Sequence, residues 1–461
     1  TRFLVQNGAK DSLGLAFASY GWEARAELDQ KHYERAIELY MLQEYYTSLQ
    51  TVAARAFADG PDALKRLAKH DGARAVLTVY VVAMGGPWRQ PPKAELVRVW
   101  LDAVEAVDVK RVNGADQLAW SAYQYGYYDL AARWLARADA NDPMMQWLSA
   151  KLLLRDGKVD AALKQLALAS KSFPPEPMLA DDYEQMGVVP RADWVKGEIG
   201  ALRLARGEYV ESLNQLLLGN YWQDAAYISE RVLTADELIA YVDAHVPPPA
   251  DPKKPDRLRY LLARRLLRLG RWKDARPYFP AELQPVLDQY ISAIRSGHDA
   301  KRPAPDRAAS LWVAAKTSRE QGMELLGTEL GPDGKIIDGS STWDNGVDER
   351  LAVKFALVAP SADEAARLKR PPEQLEKRYH YRYIAADHAW AAAQLMPDNS
   401  NDLAQILNTA GTWLKNSDPQ SADRFYKALL TRCPQTALAQ KAKTLKWFVP
   451  IAPQPSSAVA N

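Results

Sequence analysis

The chain has 461 residues, 48% of them apolar and 25% charged. One compact core rarely grows that large, so the length predicts several units or an array, and the composition excludes wholesale disorder. A formal net charge of +2 excludes a global field drawing the chain to nucleic acid or membrane, and a single cysteine, Cys433, excludes an intrachain disulfide or a multi-cysteine metal site.

Along the chain, QKHYERAIELY presents Lys31, Tyr33, Ala36 and Tyr40 in a spacing that returns later. The longest apolar run, AVLTVYVVAM (75–84), has 10 residues, short of the ~20 that a helix needs to cross a bilayer, so the chain is read as not membrane-spanning. GGPWRQPPK (85–93) reads as a connector. Residues 112–174 carry the clearest pattern. Gly126 is followed by Tyr128, Ala131, Leu135, Ala138 and Pro143, and Gly157 is followed at the same offsets by Val159, Ala162, Leu166, Ala169 and Pro174. Four helices are predicted there, with breaks near Gly126, Asn141 to Pro143, Gly157 and Pro174. Gly207, Tyr209, Ser212 and Leu216 keep the frame, as do Gly270, Trp272, Ala275 and Phe279, and NYWQDAAYI adds Trp222 and Ala225.

PPPADPKKP (247–255) and KRPAPD (301–306) read as connectors or bends. Residues 327–349, rich in Gly and Asp, lack helical period and predict a surface loop, with room for a short hairpin. The predicted organisation is helical repeats over 1–246, a Pro-rich connector at 247–255, further repeats over 256–326, an irregular insertion over 327–375, C-terminal repeats over 376–448 and an extended tail at 449–461. In the C-terminal block a long helix stops at Pro397, and Ala422, Tyr426, Leu429 and Pro434 rejoin the frame from Ser417, with Pro419 opening the second helix.

The frame has a physical basis. Glycine ends a helix where a left-handed residue carries no Cβ penalty. The aromatic two residues on covers the turn, small residues let two helices approach, and proline stops the helix. Pairs of this kind bury their apolar faces only by stacking. The pattern resembles the tetratricopeptide repeat family. Leu118, Ala119, Gly126, Tyr128, Ala131, Ala138 and Pro143 carry the match, then Ala150, Gly157, Ala162, Ala169 and Pro174, while Gly200 and Gly207 sit seven apart as the family's two glycines do. The family's tryptophan near the start of its first helix is replaced by Ala115 and Gln146. The resemblance covers 112–174 well and 20–45, 193–232 and 256–282 less closely. It implies an all-α, right-handed superhelical α-solenoid of stacked antiparallel helix pairs, interrupted by one irregular loop insertion.

No nucleophile elbow, P-loop, paired-histidine zinc motif or dinucleotide fingerprint is present. His380 and His388 lie two helical turns apart, about 12 Å by rise, too far for one metal ion. Asp333, Asp338, Asp344 and Asp348 lack calcium-loop spacing and read as turn-forming and solvated residues. Tyr379, Tyr383 and Trp390 are read as a core face, and Cys433 as a small buried apolar residue. No catalytic, metal or cofactor residues are assigned.

The stretch 251–276 has ten Lys and Arg against three Asp. In the repeat frame Arg257, Tyr260, Arg264 and Arg268 fall on the face that the family commonly uses for ligands, with Leu258, Leu261, Leu262 and Leu266 on the buried side. The alternative for the arginines is a solvated helix face. An acidic partner segment is the expected ligand, and changing Arg257, Arg264 and Arg268 to Ala is expected to spare the fold. Asn113, Asp116, Trp120 and Tyr123 from one repeat, and Trp147, Lys151 and Arg155 from the next, are expected on the same groove, against core packing for the two tryptophans. No second basic segment of this density extends a nucleic-acid footprint. The predicted function is a non-enzymatic scaffold or adaptor that holds a protein or peptide in a concave groove. The rivals are a structural accessory subunit of a larger, envelope-associated assembly and an enzyme with its site in the irregular loop. The missing initial Met, which a removed leader would explain, the lone cysteine and the Trp-rich composition favour a bacterial periplasmic or secreted address over a cytoplasmic one.

Overall fold

The computed structural model describes residues 15–83, 94–174, 189–251, 255–331, 347–369 and 377–451. These residues form 25 α-helices, one π-helix (Ile228–Val232) and one short 3-10 turn, with no β-strand among them. The architecture is all-α, built of consecutive antiparallel helix pairs that stack on their neighbours. The connector expected at 85–93, residues 252–254 of the next one, 332–346 of the loop with Asp333, Asp338 and Asp344, and 452–461 of the tail lie outside the described residues.

The helices gather into two compact units, Thr1–Ile199 and Gly200–Asn461, with the division inside the helix Arg191–Ala205. The helices flanking the Pro-rich stretch 247–255, Ala235–His245 and Arg257–Arg268, both belong to the second unit and pack on each other.

In the first unit the four helices expected over 112–174 are Ala115–Gln124, Tyr128–Leu135, Pro143–Arg155 and Val159–Ser172. The turns between partners share one backbone closure. Gly126 has φ +81°, and the N–H of Tyr127 reaches back to the carbonyl of Ala122 at 2.8 Å; Gly157 has φ +72°, and Lys158 N–H reaches Leu153 O at 2.9 Å. This is the helix-ending geometry that favours glycine. Lys31, Glu44 and Asn220 adopt it as well, at φ +63°, +55° and +60°, with the same closing bonds from His32, Tyr45 and Tyr221. Asparagine tolerates the left-handed region through its short polar side chain. Lysine and glutamate adopt it at a steric cost, beside the same closing bonds. The turn at Glu44 continues the frame with Tyr46 and Leu49, an instance with too little residue signal to be read from the sequence.

Ala131, Ala162 and Ala169 are fully buried at helix contacts, as the frame requires. Ala138 is only half-buried, because its helix ends at Leu135 and the residue lies beyond the close approach. Pro143 likewise begins a helix rather than stopping one: it is the first residue of Pro143–Arg155, and the Asp142 side chain caps that helix by accepting from Met144 N at 2.7 Å.

The second unit holds two core clusters, one centred on helices 209–291 and one on helices 386–449. Cys433 lies in the latter with no exposure, and burial pushes its thiol up. Trp390 packs edge-on against Phe425 at 5.3 Å, while Tyr379 and Tyr383 are half-buried. The interval 327–375 is not irregular throughout. It contains the helices Val347–Ala352 and Ala362–Leu368, and Asp348 sits in the first of them. Glu364, fully buried, takes both arms of Arg350 at 2.7 Å and the Tyr227 hydroxyl at 3.0 Å. Burial would raise Glu237, but Arg367 at 2.7 Å and the cap bonds of Thr234 hold its carboxyl down to about 2. These bonds seat the two short helices on the body of the unit.

Candidate functional site

The basic helix Arg257–Arg268 starts at Asp256, whose carboxylate accepts from Leu258 N and Arg259 N, both at 2.9 Å. Leu258, Leu261, Leu262 and Leu266 are buried as expected. The arginine face is not open. Arg264 is 0% exposed and pairs with Glu329, and Arg268, its side chain 1% exposed, pairs with Glu230. Arg268 also donates to Gly327 O at 2.8 Å, and the Tyr260 hydroxyl donates to Glu324 O at 2.7 Å. Arg265 donates to Ser229 O and Leu233 O at 2.6 and 2.8 Å. Of the four residues assigned to this face, only Arg257 is exposed, and it stacks 4.2 Å from the Trp222 ring.

The spacing does align the four on one helix face. That face is covered by the π-helix Ile228–Val232 and by the segment after Leu326, and the acidic groups expected from a partner come from this chain. Burial alone would raise the Glu230 carboxyl. Arg268 first, then Arg265, Arg264 and Arg231, reverse that and hold it below its ordinary range. Glu230 and Glu329 were invisible as partners in the sequence because 38 and 65 positions separate them from their arginines.

The face expected from Trp120, Tyr123, Trp147, Lys151 and Arg155 is assembled in the first unit. Tyr123 and Trp120 stack at 6.1 Å, Trp120 and Trp147 lie 5.1 Å apart, and Trp147 and Trp194 lie 5.9 Å apart. The two tryptophan-to-tryptophan steps each pass to the next pair's leading helix, from Ala115–Gln124 to Pro143–Arg155 to Arg191–Ala205. Tyr128 meets Tyr123 edge-on at 5.4 Å, and exposed Arg155 lies 3.3 Å over the Tyr128 ring. Glu198 joins the run: it accepts from Trp147 Nε1 at 2.8 Å and pairs with Lys151.

Burial separates the two tryptophans. Trp147 is buried, so core packing describes it better, whereas Trp120 is half-buried. Asn113 is exposed just before the first helix and Asp116 lies in its first turn. Neither takes part in the ring contacts among the described residues. Trp194, 53% exposed, and Glu198 were missed. Their signal was available, since RADWVKGEIG leads the pair whose turn is Gly207, but the register there was anchored only on its glycines.

No family model and no curated protein matches this chain. Among the described residues no group of three His, Cys, Asp or Glu side chains is placed to hold a metal ion, and no helix is long and apolar enough to cross a membrane.

Proposed function

We propose that this protein is a non-enzymatic scaffold of tetratricopeptide type that grips a peptide segment on the aromatic face of its first unit. One observation carries the reading: the ring-to-ring run Tyr123–Trp120–Trp147 ends on Trp194, 53% exposed, and exposed Arg155 lies at its other end, over Tyr128. Large rigid rings offer contact area at low entropic cost, and burying the remaining surface of Trp194 would reward a partner. An extended segment with an apolar or aromatic anchor at one end and a carboxylate at the other fits, the anchor on Trp194 and the carboxylate on Arg155. A bacterial periplasmic or secreted address belongs to the same reading and rests on composition alone.

The test is a photo-crosslinking residue at position 194, compared with one at exposed Lys164 on Val159–Ser172. The proposal expects polypeptide adducts from position 194 that fall when Arg155→Glu is added. Equal yields at both positions, or none at 194, would reject it.

A second reading, a structural subunit of a larger assembly, is favoured by a different observation. Phe17, Trp22, Leu42 and Tyr46 are exposed on the first three described helices, Tyr46 at 71%, and Tyr45 is exposed in the turn before the third. Exposed apolar surface concentrated in one region marks a contact. Tyr46→Ser with Trp22→Ser should then dissociate the assembly in native sizing, with the position-194 adducts unchanged.

A further inference from the structure

The turns of the helix pairs place an aromatic ring two residues after the left-handed residue, and the chain covers these rings from elsewhere. Arg155 lies 3.3 Å over Tyr128, Arg367 4.6 Å over Tyr209, Arg257 4.2 Å over Trp222 and Arg295 5.5 Å over Trp272. Each arginine comes from a different helix than the ring beneath it, respectively Pro143–Arg155, Ala362–Leu368, Arg257–Arg268 and Gln284–His298. A guanidinium is attracted to the negative face of a ring and covers its apolar surface with its own plane. Tyr33, two residues after Lys31, needs no such cover because it is itself buried.

Tyr46 is the exception. It holds the same position after the left-handed Glu44, and Tyr45 N–H closes the turn on Tyr40 O at 3.1 Å. Yet Tyr46 is 71% exposed, and no cation lies over its ring among the described residues. The helix after its own, Pro61–Ala68, carries Lys65 and Arg66, both exposed and neither over the ring.

The surroundings suit a cation. No Lys or Arg occurs between Arg35 and Arg55, an interval that holds Glu38 and Glu44. Arg35 is taken by Glu23 and Glu38 at 3.3 and 3.2 Å, and Arg55 by Asp29 at 3.0 Å. Glu44 is exposed, two residues from the ring, and has no ion pair among the described residues. Apolar surface borders it. Leu42 and Tyr45 are exposed on either side of Glu44 in the chain. Gly21 lets the Gln43 side chain lie where a Cβ would stand, so the helix Leu15–Asp29 comes against the turn, with exposed Trp22 next in sequence.

We propose that the turn Glu44–Tyr46 docks a basic segment of a partner protein, one arginine of which lies on the Tyr46 ring against the Glu44 carboxylate. The inference rests on the subunit reading of this surface and adds the chemistry of the partner. That arginine supplies from outside the cover that Arg155, Arg257 and Arg295 supply within the chain, and apolar residues beside it bury Leu42 and Tyr45. Arginine fits better than lysine, because its planar guanidinium stacks on a ring while its N–H edge donates to a carboxylate.

The probe is a synthetic peptide of alternating leucine and arginine, titrated calorimetrically into the full chain. It is compared with peptides in which lysine, glutamate or citrulline, which keeps the shape and loses the charge, replaces arginine. The expected result is saturable binding of the arginine peptide, about tenfold or more tighter than the citrulline peptide, with lysine between them and glutamate inert. Tyr46→Leu, which keeps apolar area and loses the ring, should weaken binding about threefold to tenfold, and Glu44→Gln by a similar factor. Tyr46→Trp should bind as tightly as the parent or more so. Glu211→Gln, at an exposed acid of the other unit, should change nothing. Both Tyr46 and Glu44 are exposed, so an unchanged Tm confirms that these variants fold.

No saturable binding of the arginine peptide, equal affinity for the arginine and citrulline peptides, or binding unmoved in both Tyr46→Leu and Glu44→Gln would overturn the proposal. The subunit reading fails separately. If Tyr46→Ser with Trp22→Ser dissociates a native assembly that Tyr46→Leu and Glu44→Gln leave intact, that reading stands and the basic partner is refuted. If native sizing shows no assembly while the peptides are discriminated as expected, the docking site stands and the subunit reading falls.

Discussion

Glu329→Ala should destabilise the second unit by about 4 kcal/mol, near the middle of the range for breaking a buried ion pair. The Glu329 carboxylate pairs with Arg264 through one oxygen and accepts from Trp222 Nε1 at 3.0 Å through the other. Without it, Arg264 keeps only a 3.4 Å bond from Nε to Tyr260 O, and its Nη1 has no partner in the parent protein. A guanidinium with no exposure is then left uncompensated. Losing the indole bond adds about 1 kcal/mol at most, since Trp222 is partly exposed. Glu230→Ala should cost less, about 3 kcal/mol, because Arg268 retains Gly327 O at 2.8 Å and Leu326 O at 3.3 Å. Arg264→Met combined with Glu329→Ala should recover about 2–3 kcal/mol relative to the sum of the single changes, since the double variant buries no lone charge. Urea unfolding followed by circular dichroism measures all four proteins. A Glu329→Ala cost below about 1 kcal/mol, or strict additivity in the cycle, would refute the claim that this buried pair holds the segment after Leu326 in place. The same reasoning reverses the expectation that Ala at 257, 264 and 268 spares the fold: that triple variant should unfold the second unit.

Ala131→Leu should cost about 1–3 kcal/mol by overpacking a fully buried helix contact, whereas Ala138→Leu should be close to neutral; equal Tm values for the two would contradict the observed register. Gly157→Ala should lose about 1 kcal/mol from backbone strain alone, because a Cβ there meets nothing within 4 Å, and Glu44→Gly should gain a similar amount in chemical denaturation. His388 is held down to about 4, first by burial and then by the charge of His298, with Asp387 opposing, and its Nε2 lies 3.2 Å from the Tyr290 hydroxyl. As pH falls below about 6.5 the unfolded chain takes up a proton that the folded chain refuses until about 4, so stability declines across that window and levels off below it. The loss from pH 7 to 5 should be about 2 kcal/mol larger in the parent than in His388→Gln, measured from urea midpoints.

The sequence by itself determined the helix pairs and their turns. Gly126, Gly157, Gly207 and Gly270 each occupy the left-handed position that ends a helix, and the tyrosines at 128 and 209 and the tryptophan at 272 sit over those turns. These are local properties, set by residues within about five positions of one another, and local sterics write them into residue choice. The aromatic face was legible for the same reason, since repeating the frame puts Trp120 and Lys151, and Asp116 and Trp147, at like positions on the leading helices of consecutive pairs.

Only the tertiary structure decided which charged face is open. Arg257, Arg264 and Arg268 share a helix face by spacing alone, yet solvent reaches one of them and buried glutamates take the other two. Burial depends on which distant segment crosses that face, and Glu230 and Glu329 arrive from other elements.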